Sequence, residues 1–184
     1  MKENQRVRLS KKLLKESLIQ LLQQNKIHSI SVREICDRAQ INRTTFYKYY
    51  GSQYDLLGDM EDDVLAAVDR YLDAGEKRPD IIWQLTQIIN YINENFDLCK
   101  ILLNNNVDPG FPERIFKLPR IRQIIAKNMQ VESGEELEYF FRFLIDGSFG
   151  LIKMWLNKEN REPAGEIARL LNQVIVKLGA AEMA

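Results

Sequence analysis

Apolar residues recur along most of the chain at spacings of three and four, and no five-residue window alternates well enough to make a strand. That period predicts an all-α protein. The stripe Leu56, Leu57, Met60, Val64, Leu65 and Val68 predicts a long helix over 52–73, opened by Ser52 with Asp55 three residues on. A solvated stretch at 74–80 follows, then a helix capped by Asp80 and running through Trp83, Ile88 and Ile89 to about 93, and a shorter one over 96–103. The segment NNNVDPGFP, residues 104–112, is the strongest loop signal. Next comes a helix over 113–129, broken at Pro119 because proline disfavours helical backbone in the residue before it. Two strongly apolar helices, 135–157 and 164–178, read as a helical hairpin. With the elements nearer the N-terminus, about nine helices are expected.

The densest local chemistry lies at 31–50, SVREICDRAQINRTTFYKYY. Ser31 stands three residues before Glu34, the spacing of a capping box, so a helix begins near Val32 and runs to about Ala39. Ile35, Cys36 and Ala39 give it an apolar stripe. Gln40 and Ile41 must then turn the chain, and Asn42 caps a second helix over 43–49. Helix, short turn, helix results. On the second helix Phe46 and Tyr49 are placed to anchor inward, which leaves Arg43, Thr44, Tyr47 and Lys48 for a partner. A guanidinium at a helix N-terminus can fork onto a guanine edge, and threonines can bond phosphate or touch a thymine methyl. Tyr47 and Lys48 suit the phosphate backbone.

These residues carry a resemblance to the DNA-binding domain of the TetR/AcrR family of bacterial transcriptional regulators. It covers residues 8–57: a leading helix with Leu13, Leu14, Leu18 and Leu22, the stretch Ile30 to Cys36, the run Asn42-Arg43-Thr44-Thr45-Phe46-Tyr47-Lys48-Tyr49-Tyr50, and Leu56-Leu57. The resemblance implies a three-helix DNA-binding domain at 1–51 and a helical ligand-binding and dimerisation domain at 52–184. It makes the helix from Arg43 the recognition helix, with Arg43, Thr44, Thr45, Tyr47 and Lys48 at contact positions beside Asn42, and phosphate contacts from Ser31 and Arg33. Two positions depart from the family pattern. Gln40 replaces a glycine at a turn that often needs positive φ, and Gln53 replaces a lysine that meets a phosphate in relatives.

Charge divides in the same place. Residues 1–50 hold 11 Lys or Arg against 4 Asp or Glu, a net of +7, whereas residues 51–184 hold 15 against 22, a net of −7. A basic headpiece orients the molecule toward a polyanion, and affinity then falls as salt rises.

The helix over 135–157 carries two apolar stripes and so needs two partners. One runs through Leu137, Phe140, Phe141, Leu144, Ser148, Leu151, Ile152 and Trp155; the other through Tyr139, Phe143, Gly150 and Met154. The last helix adds Ile167, Leu170, Leu171, Val174 and Leu178, and Gly147 and Gly150 allow a close neighbour. Either all of this is core of one subunit, or the first stripe with the last helix is a homodimer interface, as the resemblance implies. The interface set is Phe140, Leu144, Gly147, Leu151, Trp155, Ile167, Leu170, Leu171, Val174 and Leu178. The family arrangement also implies a pocket for a small-molecule effector, with Trp83, Tyr91, Phe96, Phe116, Tyr139, Phe143 and Met154 as lining candidates; ordinary core packing is the competing reading of each. Asp146, a carboxylate inside FLIDGSFG, either reaches solvent at the bundle edge or fixes a polar ligand or a partner across the interface.

Other classes find little support. His28 is the lone histidine, no glycine-rich phosphate loop is present, and Cys36 and Cys99 lie far apart, so no catalytic residue, metal site, disulfide or cofactor is expected. No apolar run approaches the ~20 residues of a membrane span and the start MKENQRVR lacks a signal peptide's apolar segment, which points to the cytoplasm. The expectation is a DNA-binding regulator that reads a palindromic operator in double-stranded DNA as a homodimer, as a ligand-responsive repressor. An activator of the same fold, or a helical adaptor working through protein contacts, stands as the alternative.

Overall fold

The computed structural model describes residues 5–74, 81–104, 107–123 and 135–180. Among them there is no strand. In chain order the elements are α1 (Gln5–Leu22), a 3-10 turn (Ile27–Ser29), α2 (Val32–Ala39), α3 (Arg43–Phe46), α4 (Gln53–Ala74), α5 (Ile81–Glu94), α6 (Phe96–Asn104), α7 (Phe111–Phe116), α8 (Glu135–Leu156) and α9 (Ala164–Ala180). Residues 119–123 are also helical. The expected Asp80 cap, most of the 74–80 loop and the stretch 124–129 lie outside the described residues.

In the main, residues up to Val64 form one compact unit and residues from Leu65 onward another, so α4 contributes a half to each. In the first unit α1 packs on α2 and α2 on α3. Its core is the inward stripe of each helix: Leu14 and Leu18 of α1, Ile35 of α2, Phe46 of α3, and Leu56 and Met60 of α4, all essentially inaccessible. Each such side chain contributes roughly 1.5–3 kcal/mol by leaving water.

In the second unit α9 lies chiefly along α5 and touches α8 to a lesser extent, while α8 packs on α6. This departs from the simple hairpin expected of the last two helices. The apolar period shows that a helix needs a partner and is silent on which one, and here α5 is the main partner. Ile89, Ile92, Leu98, Ile101, Leu102, Phe141, Leu144, Trp155, Ile167 and Leu171 make the core. The Trp155 indole N–H donates to the Glu162 carbonyl at 2.9 Å, pinning the α8–α9 connection. Helix is interrupted between Phe116 and residue 119, immediately ahead of Pro119 as the sequence requires. Just beyond, Arg120 forks onto both carboxylate oxygens of Asp69 at 2.8 Å and onto Asp73 at 2.5 Å, holding the second half of α4.

Candidate nucleic-acid interface

Side-chain and backbone caps build the turn between α2 and α3. The Ser31 hydroxyl accepts the Glu34 N–H at 3.2 Å, and the Glu34 carboxylate accepts the Ser31 N–H at 2.8 Å, so the expected capping box is complete. The Ser31 hydroxyl also donates to that carboxylate at 2.6 Å, and this bond, with the one from the Ser31 N–H, holds the Glu34 carboxyl below its ordinary range. At the other end the Ile41 N–H donates to the Cys36 carbonyl at 3.0 Å and the Gln40 N–H to Asp37 at 3.4 Å. That is the paired closure of a Schellman motif, which needs a left-handed residue just past the helix. Gln40 supplies it at φ 54° and ψ 40°, the one non-glycine with positive φ among the described residues. A side chain there costs about 1 kcal/mol relative to glycine. Asn42 then accepts the Thr44 N–H at 2.9 Å and starts α3.

α3 is shorter than its pattern suggests. The α-helix ends at Phe46, and residues 47–49 continue as tighter turns in which Tyr49 N–H donates to Phe46 O at 2.9 Å. The inward anchors are Phe46 and Tyr50, both buried with ring centroids 5.6 Å apart, whereas Tyr49 is half-buried. Tightening the last turn carries the chain past Tyr49 and brings Tyr50 inward in its place. Arg43, Thr44, Lys48 and Tyr47, the last 58% accessible, face solvent; Thr45 is half-buried. Neither Arg43 nor Lys48 has an ion-pair partner among the described residues. Ser31, Arg33 and Asn42 are exposed, and Gln53 is half-buried at the start of α4. Arg33 reaches Asp37 one helical turn on at 3.4 Å, an exposed pair that contributes little and leaves the guanidinium free to turn to a phosphate. The outward side chains of α3 and the turn after it are thus a guanidinium, hydroxyls, a phenol and an ammonium, with no carboxylate among them, a set of donors matched to phosphate and base edges.

Behind this surface lies a junction between residues distant in sequence. The Tyr50 hydroxyl donates to Asp59 Oδ2 at 2.6 Å, and the Lys15 ammonium lies 2.8 Å from that oxygen and 2.5 Å from Asp63. Burial alone would raise the Asp59 carboxyl, but the hydrogen bonds from Lys15 and Tyr50 outweigh it and hold it below its ordinary range. Burial would likewise lower Lys15, and the two aspartates reverse that to a raised value. The end of the recognition segment is thereby tied to α4 and α1. A four-residue spacing of Asp59 and Asp63 is a sequence signal for such a clamp, though its lysine lies on another helix. The start of α4 is capped as expected: Asp55 accepts the Gly51 N–H at 2.9 Å and its own N–H donates to Ser52 Oγ at 3.3 Å.

In the second unit the first stripe of α8 turns toward the subunit interior and the second toward solvent. Tyr139, Phe143 and Met154, assigned to a pocket lining, are 73%, 61% and 60% accessible. Leu144, Trp155, Ile167 and Leu171, assigned to a dimer interface, are buried inside the subunit. Period alone marks two apolar faces, and only the neighbouring helices decide which one turns inward. Gly147, Leu170 and Val174 are exposed, and Leu151, Trp83, Tyr91 and Phe96 are half-buried. The side chains of Phe116, Phe140 and Leu178 lie outside the described residues. Asp146 points to solvent, paired with Arg142 at 2.8 Å. A groove of about 160 Å³ between α8 and α9 is floored by Leu151, Met154, Trp155, Ile167 and Leu170. Among the described residues no helix is long and apolar enough to cross a membrane, and no metal-binding cluster occurs.

A capped helix-turn-helix presenting a cationic and hydroxyl-rich recognition segment, followed by a separate helical body, defines a DNA-binding transcriptional regulator. Comparison with known proteins makes the class specific. Residues 16–60 match the family profile described as "Bacterial regulatory proteins, tetR family". Residues 81–177 match the profile described as "Transcriptional regulator C-terminal region". The chain belongs to the TetR family of bacterial transcriptional regulators. It is 31% identical over 89 residues, 47% of its length, to the dhaKLM operon transcriptional activator DhaS of Lactococcus lactis. It is 19% identical over 152 residues, 79% of its length, to the uncharacterized HTH-type regulator YxbF of Bacillus subtilis. The matched parts span less than half of these relatives, 45% and 39% of their lengths. A TetR transcriptional regulator from Streptococcus agalactiae shares the fold with a TM-score of 0.70 at 21% identity, covering 92% of this chain and 95% of that one.

Proposed function

We propose that the protein reads a palindromic operator as a homodimer in the cytoplasm and releases it when a small molecule binds the second unit, acting as a repressor. The observation that carries this reading is the exposed set Arg43, Thr44, Tyr47 and Lys48 on a rigidly capped turn. Arg43 forks onto a base; Tyr47, Lys48, Ser31 and Arg33 hold phosphates; Thr44 and Thr45 meet the groove wall. The homodimer is supported by the bare apolar line Tyr139, Phe143, Gly147, Gly150 and Met154 on α8, joined by Leu170 and Val174 on α9. A two-fold dimer matches half-sites one or more helical turns apart. Trp83, Tyr91 and Phe96 are the half-buried aromatics left to meet an effector, and α4, shared by both units, carries the signal. A useful switch needs a coupling of about 1–3 kcal/mol.

Selection of random-sequence duplexes on the purified protein, with Arg43→Ala in parallel, tests the reading. An enriched palindrome is expected, and the mutant should lose about 1–3 kcal/mol of binding with relaxed preference at one position. Absence of enrichment, or enrichment untouched by the mutation, would move the protein to an adaptor working through protein contacts. The similarity to DhaS, described as an activator, supports a second reading in which the same dimer recruits transcription. A reporter driven from the selected sequence separates the two signs.

A further inference from the structure

Beyond the recognition helix, α1 carries basic residues with no part in the proposed base reading. On an α-helix residues 8, 11, 12 and 15 fall within one arc of roughly 100°. In this chain they are Arg8, Lys11, Lys12 and Lys15. The structure shows where that strip leads. Lys15 is bound to Asp59 and Asp63, in the second and third turns of α4. Four residues earlier, Lys11 stands 5.8 Å from the Tyr49 ring centroid and 6.0 Å from that of Tyr50, alongside the chain just ahead of α4. Going toward the N-terminus of α1 therefore moves away from the body of α4 and toward the recognition segment. Arg8 lies one turn further in that direction, about 4.5 Å along the axis. Arg8 and Lys12 are exposed; Arg8 has no ion-pair partner among the described residues, and Lys12 has only a loose solvent-facing contact with Glu16 at 3.7 Å. Lys48, itself exposed and without an ion-pair partner among the described residues, is next in sequence to Tyr49.

We infer that Arg8 and Lys12, with Lys11 beside them, form a second DNA-contacting strip that extends the recognition surface onto α1 and clamps the sugar-phosphate backbone flanking the bases read by α3. The occupant is duplex DNA because the strip is cationic and continuous with a segment whose outward groups are already matched to phosphate. Lys15 has a different task, since its charge is spent within the protein on Asp59 and Asp63. The contact is blind to sequence: it adds affinity and salt dependence and leaves the preferred operator unchanged.

The inference rests on the DNA-reading proposal, and the experiment separates the two. Binding of the full-length protein to its selected duplex and to a scrambled duplex is titrated across salt concentrations for wild type, for Arg8→Gln with Lys12→Gln, and for Arg43→Ala. The double variant should flatten the slope of log affinity against log salt by about 2 and weaken both duplexes by roughly 30-fold near 0.15 M salt, while selecting the same sequence. The charge-preserving pair Arg8→Lys with Lys12→Arg should restore the slope, which excludes a folding defect. An unchanged slope in the double variant, with Arg43→Ala still erasing operator preference, overturns the α1 strip and leaves the reader intact. A wild type that binds no duplex in an Arg43-dependent way overturns both.

Discussion

The two units expose side chains for opposite reasons. In the first, Arg43, Thr44, Tyr47 and Lys48 stand out from a turn whose every bend is capped by a neighbour in sequence, so polar groups meet water on a rigid frame. In the second, Tyr139, Phe143 and Met154 stand bare on a long helix whose other stripe is already satisfied by its own subunit. A polar surface is stable as it is and waits for a ligand. An exposed apolar line is a surface that association would cover. Under the proposed homodimer the first unit is complete as a reader, and the second is complete only when paired.

The largest effect should come from attacking that bare line. Tyr139→Glu with Phe143→Glu places charge where a partner would pack, and should turn a dimer into a monomer by sedimentation while thermal unfolding of the subunit changes little. Operator affinity should then drop by about 10²- to 10⁴-fold, the span typical of losing linked binding. A dimer that survives the double substitution would mean the partner seats elsewhere.

A smaller effect tests the rigidity of the reader. Asp59→Asn keeps the shape and removes the charge that Lys15 and Tyr50 share, and should cost about 1 kcal/mol at pH 7 after allowance for its partial exposure. The pH dependence follows from the sign of the shift. Because the folded Asp59 carboxyl is held below the ordinary 3.8, its contribution is present above that value and is lost as pH falls through the depressed folded one. Wild type and Asp59→Asn should thus differ at neutral pH and converge in strong acid by chemical denaturation. A constant gap down to that range would remove the electrostatic account of the junction. The smallest effect concerns the turn: Gln40→Gly should stabilise the first unit by roughly 0.5–1 kcal/mol in the same assay, since glycine occupies φ 54° without strain.

What could be read in advance follows the range of the interactions. Ser31 with Glu34, Asn42 with Thr44 and Ser52 with Asp55 are contacts between residues two or three apart, and each is present where the spacing put it. Pro119 acts on its immediate predecessor, and the break is found there. The Lys15 clamp joins residues 44 and 48 apart in sequence, and periodicity holds no information at that distance. The same limit explains α8: its two apolar stripes were legible, but which one faces α6 depends on side chains tens of residues away. Tyr50 replacing Tyr49 as an anchor is a smaller case, set by the tightening of one turn. Exposure of Arg43, Thr44, Tyr47 and Lys48 agrees with the reading of the recognition segment, because a short helix and its closing turn bury through Phe46 and Tyr50 and leave these four side chains outside.

The two cysteines have a practical consequence. Cys36 and Cys99 are both buried, and burial pushes the Cys99 thiol up to about 12, so at neutral pH it is held as the protonated thiol. Oxidants and alkylating reagents in solution thus meet two shielded thiols. This leaves a silent background: a cysteine introduced on the solvent face of α3 or α8 could carry a fluorophore in the otherwise unaltered chain, and the operator and the partner subunit could each be watched from one labelled position.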